Sequence, residues 1–92
     1  MMLYLVSYDI SDDARRHRAM EALKDFGRRV QYSVFECNLD EAALNELIER
    51  LDFEIDPATD SCRFYRICES CAQEVRILGK GDRYAEPGFV II

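Results

Sequence analysis

Ninety-two residues, 49% hydrophobic and 33% charged, suffice for one core and not for two, and lie far from the disordered class. No apolar run approaches the ~20 residues of a membrane-spanning helix, and the opening Met-Met-Leu-Tyr-Leu-Val-Ser-Tyr-Asp lacks the basic and small-residue marks of a secretory signal. The expectation is one cytoplasmic domain over 1–92, with 1–78 as core, 79–92 as a C-terminal extension and four reduced cysteines; a net charge of −6 excludes a uniformly basic surface.

Residues 3–9 alternate and are rich in β-formers, which predicts a strand with Leu3, Leu5, Ser7 and Asp9 on one face and Tyr4, Val6 and Tyr8 on the other. Ser11-Asp12-Asp13 offers helix caps and early negative charge. A helix over 13–26 follows, with Ala19, Met20, Leu23 and Phe26 inward and Gly27 as its stop. A second alternating strand covers 29–37, placing Val30, Tyr32 and Val34 opposite Arg29, Gln31, Ser33, Phe35 and Cys37. Asp40 caps a second helix over 41–52, whose Leu44, Leu47, Ile48 and Leu51 keep helical spacing. A third strand at 62–67, a turn at 68–73 and a fourth strand at 74–78 complete the core.

If the strand over 29–37 bends near Ser33 and counts twice, the order becomes the βαββαβ of a ferredoxin-like α+β sandwich. Its antiparallel sheet carries two helices on one face. Both faces of the first strand are substantially apolar, so the second face is expected to meet another subunit. The ending Phe89-Val90-Ile91-Ile92 is apolar on both sides. It reads as an edge strand, added to the sheet of a partner protomer or closing its own.

Charge is uneven along the chain. Residues 36–60 hold nine acids and one base, a net of −8, whereas residues 14–30 hold Arg15, Arg16, Arg18, Lys24, Arg28 and Arg29 against Glu21 and Asp25, a net of +4. A phosphate backbone responds to such a local basic patch; two solvated faces are the alternative.

Asp9 stands out because a carboxylate that continues an apolar strand face is costly unless paired, hydrogen-bonded or bound to metal. Two copies meeting across a two-fold axis, with waters, would suit Mg²⁺; the alternative is an aspartate that starts a turn. Arg16, four and seven residues before Met20 and Leu23, lies near the end of the first strand. Arg29 shares a strand face with Gln31 and Ser33. Arginines suit bidentate phosphate binding, and salt bridges to Asp12, Asp13 or Asp25 are the competing use. Cys68-Glu-Ser-Cys71 has no second pair and only a distant His17, so turn and core thiols are expected rather than zinc or thioredoxin chemistry. Gly79-Lys80-Gly81 is too short for a phosphate loop.

The segments Tyr-Leu-Val-Ser-Tyr-Asp-Ile-Ser-Asp-Asp (4–13), Arg-Arg-His-Arg (15–18), Gly27 with Arg-Val-Gln-Tyr-Ser-Val-Phe-Glu (29–36), and Phe-Tyr-Arg-Ile (64–67) closely resemble the CRISPR-associated family Cas-two. The resemblance implies a ferredoxin-like homodimer in CRISPR adaptation (spacer acquisition), partnered with the integrase Cas-one. It further implies a Mg²⁺-dependent endonuclease that hydrolyses single-stranded RNA or double-stranded DNA. Carried over by motif, Asp9 is the Mg²⁺ ligand shared between protomers, and Tyr8, Arg16, Arg18, Arg29 and Phe35 stand where side chains support cleavage. A non-catalytic scaffold bridging integrase subunits and DNA, a toxin ribonuclease of the VapD type, and a small-molecule regulatory domain are the alternatives on this fold.

Overall fold

Strand alternation sorts the side chains before any helix packs. The computed structural model describes residues 1–81. Their elements are β1 (Met2–Asp9), α1 (Asp13–Lys24), β2 (Gly27–Gln31), β3 (Val34–Leu39), α2 (Glu41–Glu54), β4 (Ser61–Ile67) and α3 (Glu69–Gln73). The four strands form one sheet in the order β2-β3-β1-β4, every neighbouring pair antiparallel. This is the ferredoxin-like topology. The expected strand exchange through Phe89–Ile92 lies outside the described residues.

In β1, Val6 stands opposite Phe35 and Phe64, and Tyr4 opposite Cys37. Opposed residues share a face, and this one lies under the helices, where Val6, Phe35 and Cys37 are completely buried. Both caps offered by the sequence form: Asp12 accepts from the Arg15 amide at 2.9 Å, and Asp40 from the Ala43 amide at 2.8 Å. The α1 helix buries Ala19, Ala22 and Leu23, and α2 buries Leu47 and Leu51, while Met20, Phe26 and Leu44 pack at the margin. Ile48, expected inward, is 42% exposed. It lies one residue, and so about 100°, round the helix from Leu47 and leaves the buried stripe.

The second face of β1 is covered only in part. Leu3 and Ala72 are buried outside the main core cluster, where α3 packs on β1. Leu5 and Ser7 are half-buried and Asp9 is exposed.

Four further expectations change. The predicted strand over 29–37 is a hairpin of β2 and β3 with a turn at Tyr32 and Ser33, and a register shift falls between Arg29 and Gln31. Gly27 is not the helix stop, because α1 closes at Lys24 and Gly27 opens β2 opposite Cys37. Its glycine is needed for close approach: a Cβ there would lie 2.2 Å from the Glu36 carbonyl oxygen. The turn over 68–73 is the helix α3, and residues 74–78 form no strand. The amides of Glu74 and Val75 instead close that helix onto Cys71 and Ala72, and Leu78 is 96% exposed.

Asp60 ties α1 to the loop before β4. Its side chain is wholly shielded and accepts from Arg15 Nε at 2.9 Å and Nη2 at 3.3 Å, from the Asp56 amide at 2.9 Å and from Thr59 Oγ1 at 3.1 Å. The Arg15 hydrogen bond, then that of the Asp56 amide, draws the carboxyl pKa down from 3.8 to about 2. A lowered folded-state pKa stabilises fully above the ordinary carboxylate range, and the contribution is lost as pH falls through the folded value. Asp60→Asn should therefore lower the urea midpoint at neutral pH. The gap to wild type should narrow near pH 2, as read by circular dichroism across a pH series.

Candidate functional site

Tyr8 and Asp9 are adjacent in sequence and point to opposite faces of the sheet, as strand period two requires. Tyr8 is 5% exposed. Its amide donates to the Ser33 carbonyl at 3.1 Å and its hydroxyl to the Tyr32 carbonyl at 3.2 Å. Burial pushes the phenol pKa above its ordinary value of 10.0, with Arg29 pulling the other way. Tyr8 is thus a neutral hydrogen-bond donor at physiological pH.

Around Tyr8 the β2–β3 turn and the first turn of α1 form a cleft of about 290 Å³, lined by Tyr8, Asp13, Arg16, His17, Arg29 and Tyr32. The Tyr32 carbonyl also accepts from Arg29 Nε at 3.0 Å and Nη2 at 2.6 Å. The Arg29 guanidinium sits 5.0 Å from the Tyr32 ring centre, and that of Arg16 sits 5.9 Å away. Arg16 is held from behind, donating to the Ile10 carbonyl at 3.0 Å and pairing with the Asp13 carboxylate. Two guanidinium groups are so fixed at the rim of one cleft, a geometry suited to phosphate oxygens. Arg29 has no carboxylate partner among the described residues.

Three of the expected site residues, Tyr8, Arg16 and Arg29, therefore meet. The other three do not join them. Asp9 lies on the opposite face, in register with Ser61. Arg18 pairs with Glu54 at 2.6 Å across α1 and α2. Phe35 is completely buried, its ring centre 6.4 Å from that of Tyr8. Alternation assigns Tyr32 to a face with Val30 and Val34; the hairpin turn releases it to the cleft. The Tyr-Ser pair in mid-strand was the available signal for that turn.

The basic stretch is not an open patch. Arg15 and Arg18 reach Asp60 and Glu54 of the acidic segment, and Arg50 pairs with Asp25.

The Asp9 carboxylate makes no hydrogen bond or ion pair with the described residues, and no group of three His, Cys, Asp or Glu side chains converges among them. An exposed oxygen donor fits Mg²⁺, but one carboxylate alone is a sparse set of ligands. Among the thiols, burial raises Cys37 to about 12 and Cys62 to about 11. Cys68 instead stands at the N-cap position of α3 without a side-chain capping bond, and its interaction with the Ser70 hydroxyl, then with Cys71, lowers it to about 7.

Residues 2–75 match the family model described as CRISPR associated protein Cas2. The chain belongs to the Cas2 family. It is 42% identical over 92 residues to a CRISPR-associated endoribonuclease Cas2 of Synechocystis, covering 100% of both chains. A CRISPR-associated endonuclease Cas2 of Thermus thermophilus is 46% identical, with 86% of this chain and 83% of that one covered. Among solved structures, Streptococcus pyogenes Cas2 superposes with a TM-score of 0.71 at 40% identity, covering 85% of this chain and 100% of that one. A hypothetical protein of Thermus thermophilus gives 0.79 at 44% identity, covering 88% and 94%. The expected family and ferredoxin-like fold are both borne out.

Phe35 is packed in the core rather than in the cleft, so its replacement bears on stability first. Phe35→Ala should cost about 3–5 kcal/mol of folding free energy, measured by urea denaturation. Phe35→Leu should stay folded and keep whatever nucleic-acid binding the wild type has.

Proposed function

We propose that this chain is a nuclease of CRISPR adaptation, a homodimer that hydrolyses phosphodiester bonds of RNA or DNA with Mg²⁺ held between two copies of Asp9. The observation that carries this reading is the unpaired Asp9 carboxylate at the end of the central strand, on a sheet face the two long helices leave open. The relatives named endoribonuclease and endonuclease support the reaction class.

Leu5, Val34, Tyr65 and Ile67 stand on or beside that open face and remain partly exposed, which suits a second protomer. Pairing around a two-fold axis near the end of β1 would bring two Asp9 side chains together. Mg²⁺ in such a site supplies charge neutralisation at the phosphate and lowers the pKa of a bound water. The chain's own residues bind and orient the substrate. Arg29 and Arg16 take backbone phosphate oxygens from fixed positions in the cleft, and the protonated Tyr8 hydroxyl braces the turn that holds Arg29.

A second reading is a non-catalytic dimer that bridges nucleic acid and the integrase Cas-one. The separation of Asp9 from the Tyr8–Arg16–Arg29 cleft by the thickness of the sheet favours it, since phosphate contacts at the cleft do not require the metal.

Labelled RNA and duplex DNA, incubated with purified wild type or Asp9→Asn in Mg²⁺ or EDTA, decide between the two. Mg²⁺-dependent cutting by wild type, reduced at least about a hundredfold in Asp9→Asn, is the expected result. Cutting that is absent, or equal in both proteins, would remove Asp9 catalysis and leave the bridge as the working account.

A further inference from the structure

Tyr32 is 66% exposed, yet the turn that carries it is tied down by hydrogen bonds. Its carbonyl accepts from Tyr8 and twice from Arg29, so the turn that carries it is anchored on β1 and β2 together. Arg29 and Arg16 lie 5.0 and 5.9 Å from its ring centre, and the cleft beside it measures about 290 Å³. A large aromatic left in water on an anchored turn, with two guanidinium groups near its ring, has no packing role in the core.

We infer that Tyr32 is a base-stacking residue that makes this cleft selective for single-stranded nucleic acid. An unpaired nucleobase lies on the ring while Arg16 and Arg29 take the flanking phosphates. In a duplex the bases are stacked on one another and cannot reach the ring, whereas an unpaired base presents a free face. The two arginines alone would bind either form through phosphate. The ring is what discriminates. The Asp13 partner of Arg16 is 91% exposed, so an incoming phosphate displaces a pair that contributes little in water. This inference rests on the nucleic-acid reading above and is independent of cleavage at Asp9.

The test is equilibrium binding in EDTA, by fluorescence anisotropy, of a labelled oligouridylate, an abasic oligonucleotide of equal length and a duplex DNA. The proteins are wild type, Tyr32→Ala and Tyr32→Phe, each checked for an unchanged melting transition. Tyr32→Ala should weaken oligouridylate binding about five- to hundredfold and leave duplex and abasic binding within about twofold. Tyr32→Phe should bind like wild type, because the ring and not the hydroxyl is used. Equal losses for all three probes, no loss for any, or no oligouridylate binding by wild type would each overturn the inference. Normal Tyr32-dependent binding by a protein that never cuts would remove the nuclease reading alone. Cutting with binding indifferent to Tyr32 would remove the stacking role alone.

Discussion

The two-residue period of β1 is the constraint on which the arrangement depends. Tyr8 and Asp9 are bonded neighbours, and the pleat sends one under α1 and the other to the open face. The buried hydroxyl then meets the Tyr32 carbonyl, which also holds Arg29. A one-residue slip of β1 would exchange the two faces, exposing Val6 and Tyr8 and burying an unpaired carboxylate. The opposed Val6–Phe35 and Val6–Phe64 positions hold β1 in place, since both neighbours pack into the same core.

Charge is organised by the same economy. The acidic segment of α2 and its following loop neutralises Arg15 and Arg18, whereas Arg29 is anchored by the Tyr32 carbonyl and Arg16 by the Ile10 carbonyl together with the exposed Asp13 carboxylate. A carbonyl orients a guanidinium without cancelling its charge. That difference, invisible in a net charge of −6, leaves the cleft cationic on an acidic protein. It also explains why Arg15, Arg16 and Arg18, close in sequence, have three different roles: a tie to Asp60, a cleft wall and a tie to α2.

Much of this was legible in the sequence. Alternation located β1 and its faces, Asp12 and Asp40 announced the caps, and the motifs from Tyr4 to Glu36 carried the family. The misreadings share a cause. Val30 to Val34 alternates well enough to read as one strand, so in the sequence the turn that frees Tyr32 shows only as a bend near Ser33. Cys68 to Gln73 has no long apolar period, and its single buried residue, Ala72, is too small to signal a helix. The stretch 74–78 has strand composition, but a strand exists only where a neighbour accepts its hydrogen bonds. Phe35, equally, looks the same in sequence whether a core or a cleft receives it; the neighbours across the sheet decide.

The central claim is that Asp9 is half of a metal site completed by a second copy of the chain. Mn²⁺, a spectroscopic substitute for Mg²⁺ with the same preference for oxygen donors, tests this directly by electron paramagnetic resonance titration of the protein at known oligomeric state. The account predicts one bound ion per two chains, lost in Asp9→Asn while the dimer persists. One ion per chain, or binding unchanged by Asp9→Asn, would contradict it.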